Sequence, residues 1–517
     1  MRKIQFMTFP MNWKLESKAF RGRALLLVLI LFVLSCKNDV SGLPEKEDDR
    51  PVDTESSEFD RTIKVGDPTG KKITPYLTGI NTVYSHEDMR TWDDGNKLNH
   101  LTNTGISALR YPEGHQVSFW DWEFPYHEPY QDIWNPNYES TLTQAKRDEL
   151  KEKNKNRMLI DNYFEICRDG NIEPVMGINM FQGWKFDRNE ESIQKAVRLV
   201  EYCLKQNPKV TYFFLDNEAG HQPEQNNHVP IEEYIQLIPA YSQAIKAIHP
   251  EAKLIPNIMR WNVVERMIRE TGQYWDVYDN HWYYGSGGKW AYFNLNEWRA
   301  EVESEQQVKK IADFNSWKQQ YGMEHLEFSY MEWNAPPPNL TADSNPSSLS
   351  YAMMGLIQAD QLMFFANNDI HMATAWPLMW ETESKDTDLS KYNRNLLDKD
   401  DSSWLSPSAT IFQAYSHVQN GEILENDNDP NSGLRVLAVK REANKGYAVL
   451  VLNKSSKDKT IELELPDSVR RVIEGKHFTE GEGVHNVEIK TLSPEFKENK
   501  VYISIEGTSF AYLLFDY

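Results

Sequence analysis

From about residue 73 the chain alternates short, nearly continuous apolar runs with longer stretches whose apolar residues recur at three and four positions, the pattern of strands followed by helices. Eight runs have strand length: "YLTGIN" (76–81), "ALRYPEG" (108–114), "EPVMGINM" (173–180), "VTYFFLDNE" (210–218), "KLIPNIM" (253–259), "VYDNHWYY" (277–284), "LEFSYMEWN" (326–334) and "MATAWPLMW" (372–380). Stretches between them, such as "NRMLIDNYFEICRDG" and "ESIQKAVRLVEYCLKQ", read as amphipathic helices. Such repeats predict an α/β fold, a (β/α)8 TIM barrel over residues 73–415. A doubly wound sheet is the alternative, but the glycine-rich phosphate turn expected after its first strand is missing.

After residue 416 the pattern changes to alternating apolar and polar residues broken by frequent turns, as in "GLRVLAVKREANKGYAVLVLNKSSKDKTIELELP". That predicts an antiparallel β-sandwich over residues 416–517. "RTIKVGD" (61–67) has the same character and precedes the barrel, so residues 61–72 are expected to supply a strand to the sandwich.

The N-terminus differs from both. Arg2, Lys3, Lys14, Lys18, Arg21 and Arg23 precede the apolar run Ala24 to Leu34, then Ser35 and Cys36. The run falls well short of the roughly 20 residues that span a bilayer. The pattern "VLSC" resembles a bacterial lipoprotein signal, which implies a signal peptide over 1–35 and a lipid on Cys36; an uncleaved anchor is the alternative. Residues 36–60 are polar, acidic and without periodicity, a flexible tether. The expected location is the cell envelope, on an outer-membrane-anchored lipoprotein facing outward or into the periplasm.

The net charge of −21 argues against nucleic acid as a partner, since phosphate binding needs a basic surface. Cys167 and Cys203 lie in helical patterns without ligand spacing around them, so free thiols are expected and no metal or cofactor is implied. A monomer is expected. Neither a G-x-S-x-G elbow nor an HExxH motif is present, and the acidic stretch "ENDNDPNSG" (425–433) lacks the EF-hand pattern for calcium.

In a barrel of this kind the reactive groups stand at the C-terminal strand ends. Those ends carry Asn81, Arg110, Asn179, Asn217, Glu218, Asn257, His281, Tyr283, Glu332 and Trp376. Glu218 and Glu332 end the fourth and seventh barrel strands, on opposite sides of one mouth. Glycoside hydrolysis needs such a pair, and a separation of about 5 to 5.5 Å goes with retention of configuration.

"LDNEAG" resembles the Asn-Glu that ends the fourth strand in glycoside hydrolase clan A, and "FSYMEWN" resembles that clan's nucleophile strand. The barrel-plus-sandwich order over residues 61–517 is similar to arabinofuranosidases and to the agarase and porphyranase family. The resemblance implies Glu218 as acid/base and Glu332 as nucleophile. It implies Asn217 on the sugar hydroxyl beside the reacting carbon, with Arg110 and Tyr283 holding Glu332 ionised. Glu218 is then expected to have a raised pKa. Two departures stand out: Glu113 replaces the first glycine of "RYPGG", and Ala219 replaces the usual proline. Glu113 either binds a sugar hydroxyl or caps the next segment.

The insertion at 115–140 carries Trp120, Trp122, Trp134 and five Phe or Tyr residues, expected as a cleft wall, with about half of the rings packing the loop itself. "HWYYGSGGKWAYF" (281–293) would form a second wall. Two walls favour endo action. Arg260, His86, His115, His221 and Lys289 are candidates near the mouth for a sulfated sugar. The reading that results is a lipid-anchored retaining glycoside hydrolase acting on an extracellular polysaccharide, an agar-, porphyran- or carrageenan-type galactan foremost. The alternatives are an exo-acting arabinofuranosidase and a non-catalytic surface glycan-binding lipoprotein.

Overall fold

The computed structural model describes residues 60–221, 226–284, 295–335, 350–379, 395–427, 432–442, 445–466, 469, 471–482, 487–497 and 500–516. The expected signal peptide, the lipid-bearing Cys36, all of the tether but its last residue, most of the 281–293 wall with Lys289, and residues 428–431 of the acidic stretch lie outside them.

A first strand, β1 (Arg61–Lys72), precedes the barrel. The barrel strands are β2 (Tyr76–Asn81), β3 (Ala108–Tyr111), β4 (Glu173–Ile178), β5 (Tyr212–Ala219), β6 (Lys253–Ile258), β7 (Val277–Tyr283), β8 (Glu327–Asn334) and β9 (Met372–Ala375). Among the described residues these eight close into one barrel with every neighbouring pair parallel. Each apolar run named above coincides with one of them, β5 running one residue beyond its run to Ala219. Alternate residues of each strand fill the barrel, so Val175, Tyr212, Phe214, Ile255 and Met331 share an interior cluster. Phe213 and Leu215 face outward into the larger cluster formed with the helices.

The C-terminal strands are β10 (Glu422–Asn426), β11 (Leu434–Lys440), β12 (Tyr447–Asn453), β13 (Lys459–Glu464), β14 (Arg471–Glu480), β15 (Val487–Thr491), β16 (Glu495–Lys497), β17 (Lys500–Ile505) and β18 (Ser509–Asp516). With β1 they form a sheet of order β15-β14-β18-β12-β11-β10-β1-β13-β17-β16. Its pairings are antiparallel except that of β1 with β13. Residues 61–64 of β1 pair with β13, and residues 65–72 pair with β10 across two register shifts, so one strand belongs to both halves of the folded sheet. Asp427, in the stretch considered for calcium, accepts the Lys64 amide hydrogen on Oδ1 (2.8 Å).

The middle strands are buried on both faces. Val436, Ala438, Val449 and Val451 point into the sandwich core, whereas Leu437, Val439, Leu450 and Leu452 join the barrel's outer core. An ionic knot fixes the same seam. Lys454, just after β12, places Nζ 2.7 Å from Asp360 Oδ2 on the helix Tyr351–Asn367, pairs with Glu301, and lies 4.6 Å from the Trp298 ring centre. The Trp298 indole N–H donates to the same Asp360 oxygen (2.8 Å), and Arg435 holds Glu301 at 2.7 Å.

Candidate active site

The geometry at the end of β5 explains why a buried strand finishes on Asp-Asn-Glu. Strict alternation would send Asn217 outward, away from Phe214, Asp216 and Glu218. Asp216 and Glu218 instead adopt φ of 59° and 50°, left-handed conformations that cost roughly 1 to 2 kcal/mol each for residues with a side chain. The register against β6 slips there, and Asn217 and Glu218 both reach the mouth. Asp216 holds the distortion. Its carboxylate accepts from the backbone N–H groups of Met180 (2.8 Å), Phe181 (2.6 Å) and Asn217 (2.9 Å) and from the Ser118 hydroxyl, tying β5 to the loops after β3 and β4. Burial pushes the Asp216 carboxyl above its usual range against those bonds.

Arg110 is the hub of the site. Its fully buried guanidinium stacks on Phe214, 4.2 Å from the ring centre. It donates to Asn81 Oδ1 (3.0 Å), Asn217 Oδ1 (3.0 Å) and Glu332 Oε2 (3.4 Å). The Tyr283 hydroxyl donates to Glu332 Oε1 at 2.6 Å. The Glu218 backbone N–H donates to Asn257 Oδ1 (2.6 Å), whose amide in turn donates to the Asp279 carbonyl. The structure therefore gathers Arg110, Asn217, Glu218, His281, Tyr283 and Glu332 into one cluster.

His281 bridges the two acids. Its Nδ1 lies 2.8 Å from Glu218 Oε1 and 3.7 Å from Glu332 Oε2, and its Nε2 lies 3.1 Å from Asp279 Oδ2. Burial alone would depress the imidazole, but the charges of Glu332 and Asp279 and the hydrogen bonds to Asp279 and Glu218 raise its pKa well above the ordinary value. Glu218 moves the other way. Burial raises it, yet the His281 hydrogen bond and charge, with lesser pulls from His221 and His228, bring it down to about 2. The expectation of a raised Glu218 is thus corrected: with both ring nitrogens against carboxylates, the proton rests on His281. An imidazolium beside a carboxylate and an imidazole beside a carboxylic acid hold the same number of protons, so transfer along the 2.8 Å bond makes Glu218 an acid.

Among the described residues Glu218, His281 and Glu332 offer ligand atoms within 4.8 Å of one another. Both ring nitrogens of His281 face carboxylates, Nδ1 that of Glu218 and Nε2 that of Asp279, an arrangement that serves a shared proton. The same limit brings the closest carboxylate oxygens of Glu218 and Glu332 within 4.8 Å.

Other expected residues sit elsewhere. Trp120 is buried, with its ring edge-on to Tyr111 at 5.4 Å. The Trp122 indole N–H donates to the Lys195 carbonyl (3.2 Å). The Asn179 amide donates to the Trp120 carbonyl (3.0 Å) while its oxygen accepts from the Gln182 N–H (3.1 Å). Trp120 and Trp122 pack the 115–140 insertion against the barrel wall around a cavity of about 20 Å³ and do not form the cleft wall expected of them, and Asn179, expected at the mouth, ties that loop down instead. Glu113 is buried, and it caps the turn at His115–Phe119 by accepting the Gln116 N–H (3.0 Å). Burial and then the Glu332 charge push its carboxyl well above the usual range, so it is neutral. Trp376 directly follows β9, its N–H donating to the Trp333 carbonyl. His221 is half-buried beside His228. Asp279, unremarked in the sequence, shares an inward face with His281 and Tyr283 at period two, a signal that would have found it.

No protein-family model matches the chain, and no curated protein does. Solved structures do. A family 51 α-L-arabinofuranosidase from Bifidobacterium longum superposes with a TM-score of 0.67 at 14% identity, covering 89% of this chain and 100% of that one. A family 51 arabinofuranosidase from Xanthomonas axonopodis pv. citri gives 0.64 at 14% identity, covering 88% and 100%. A bifunctional glucanase-xylanase from a metagenome library gives 0.59 at 12% identity, covering 88% and 99%. These likenesses show the fold, a TIM barrel with a C-terminal β-sandwich.

Proposed function

We propose that the protein is a retaining glycoside hydrolase that cleaves an extracellular polysaccharide. The observation that carries this reading is the Glu218–Glu332 pair, whose closest oxygens lie within 4.8 Å across the mouth, each with the partner its role needs. That closeness supports the short carboxyl separation of retaining enzymes over the wider one of inverting pairs.

Glu332, positioned by Tyr283 and Arg110, attacks the anomeric carbon as Glu218 delivers its proton to the departing oxygen, giving a glycosyl ester and a free hydroxyl. As the Glu332 charge is consumed in this step the hold on the imidazolium proton weakens, and that proton is the one His281 passes through Glu218 to the departing oxygen. Glu218, now a carboxylate, takes a proton from water as the water attacks the anomeric carbon, and Glu332 leaves as a carboxylate. With its oxygen engaged by Arg110, Asn217 has its amide N–H groups to offer the neighbouring sugar hydroxyl.

The test is hydrolysis of arabinan, xylan, β-glucan, agar, porphyran and carrageenan by the wild type and by Glu218→Gln and Glu332→Gln. Either substitution is expected to lower kcat by at least about a hundredfold, and the first anomer seen by NMR to retain its configuration. Wild-type rates in both variants would refute the assignment. Release of arabinose alone would favour the exo-acting arabinofuranosidase, a reading supported by the family 51 neighbours. Lipid attachment at Cys36 belongs to the same proposal and rests on "VLSC"; a diacylglyceryl-cysteine at the mature N-terminus in mass spectrometry is the expected result.

A further inference from the structure

Four rings from two different loops meet on the flank of Glu218, and the mechanism above uses none of them. His115 and Tyr130 come from the loop after β3, and His221 and His228 from the loop after β5. His115 and His228 are stacked, with centroids 4.2 Å apart and planes 9° from parallel. Tyr130 leans on His115 at 5.3 Å, and His221 stands edge-on to His228 at 5.4 Å. Tyr130 is 44% exposed and adopts φ of 60°, a costly conformation for an aromatic residue that turns its ring to the surface. The His221 backbone N–H donates to the Glu218 carbonyl (2.9 Å), which ties the row to the residue that carries the acid.

His228 carries the telling detail. Its Nδ1 lies 2.7 Å from Asn227 Oδ1, an acceptor, so the ring hydrogen is on Nδ1 and Nε2 presents a lone pair. That Nε2 is buried and has no hydrogen-bond partner, in a residue only 6% exposed. Burial and the neighbouring His115 bring its pKa down to about 3, so the ring stays neutral and Nε2 stays an acceptor. A buried acceptor left unpaired is costly, and pairing it on binding returns that cost as affinity.

We propose that Tyr130, His115, His228 and His221 form the binding site for the sugar on the leaving-group side of the scissile bond. The face of that sugar packs on the exposed Tyr130 ring beside the half-buried His115, and one of its hydroxyl groups donates to His228 Nε2. This rests on the hydrolase reading and deepens it: the substrate carries a sugar, not a small aglycone, beyond the cleaved bond. The row lies beside the acid because the leaving oxygen and the sugar it belongs to are what Glu218 protonates.

The experiment pairs nitrophenyl glycosides of arabinofuranose, xylose, glucose and galactose with the corresponding oligosaccharides. It compares wild type, His228→Phe, which keeps a ring and removes the acceptor, and Tyr130→Ala, whose side chain is exposed. The ratio of kcat/KM on oligosaccharide to that on nitrophenyl glycoside is expected to fall on the order of tenfold to a hundredfold in each variant. An unchanged ratio in Tyr130→Ala and in a folded His228→Phe would overturn the proposal. Should the wild type hydrolyse nothing, the hydrolase reading has failed, and carbethoxylation of His115, His221 and His228 mapped by mass spectrometry decides the site itself. Protection by an oligosaccharide supports a sugar site there, and equal labelling with and without every oligosaccharide refutes it.

Discussion

Replacing Lys454 by Met keeps the length of the side chain and removes the ammonium from the seam between barrel and sheet. In the folded protein that ammonium is 3% exposed and its carboxylate partner Asp360 6% exposed, so neither charge is compensated by water. Removing one member of a buried pair costs about 3 to 5 kcal/mol, most of it from stranding the other charge. Here Asp360 keeps the Trp298 indole N–H at 2.8 Å and Glu301 keeps Arg435 at 2.7 Å, which places the expected loss near the lower end, about 3 kcal/mol. Urea unfolding followed by tryptophan fluorescence reads it as a lower midpoint with an unchanged slope. Adding Asp360→Asn removes the stranded charge, and the double variant is expected to regain about 2 kcal/mol of the loss. A single variant within about 1 kcal/mol of wild type, or a double variant no more stable than the single, would refute the claim that the knot is desolvated.

Three further outcomes follow from the site and its scaffold. A Cβ on Gly114 would stand 2.7 Å from Glu332 Oε2 and 3.2 Å from Asn217 Oδ1, so Gly114→Ala is expected to displace the nucleophile and lower kcat by roughly a hundredfold, with secondary structure by circular dichroism unchanged. In His281→Phe the acid proton, held in the wild type up to the raised imidazole pKa, is left to Glu218 alone; the alkaline limb of kcat/KM is expected to move to lower pH, and an unmoved limb would contradict the shared-proton account. Burial raises Glu173, at the start of β4, from 4.5 to about 7, so the folded state binds its proton more tightly than the unfolded chain. Stability from this group is full below pH 4.5 and is lost as the pH rises through 7, by roughly 1 to 2 kcal/mol after allowance for partial exposure, and Glu173→Gln should flatten that slope in urea titrations.

The barrel was legible because its strands are buried on both sides and show as apolar runs of strand length, and because their C-terminal ends change abruptly to polar residues. The same logic located Glu218 and Glu332 but misjudged their surroundings. A tryptophan reads alike whether it faces a sugar or fills a gap under a loop, so Trp120 and Trp122 could not be sorted by type. The proton on His281 depends on Asp279 two residues earlier and on Glu332 from another strand, a balance of distances that no local pattern carries. Left-handed backbone at Asp216 and Glu218 has no signature when the residue is not glycine. The Lys454 knot joins residues far apart in sequence, where each charge alone looks like an ordinary surface residue.

The placement of β1 has a consequence for how the protein comes into being. The strand is made first among the described elements, yet its partners are residues 422–426 and 459–464, near the other end of the chain. During synthesis the whole barrel sequence appears before β1 has anything to pair with, and the strand's open edges wait through several hundred residues. Completion of the sheet is therefore a late, long-range closure that reports that the last strand has arrived. A chain cut short before residue 422 is left with β1 unpaired, an open edge that can template pairing with another chain.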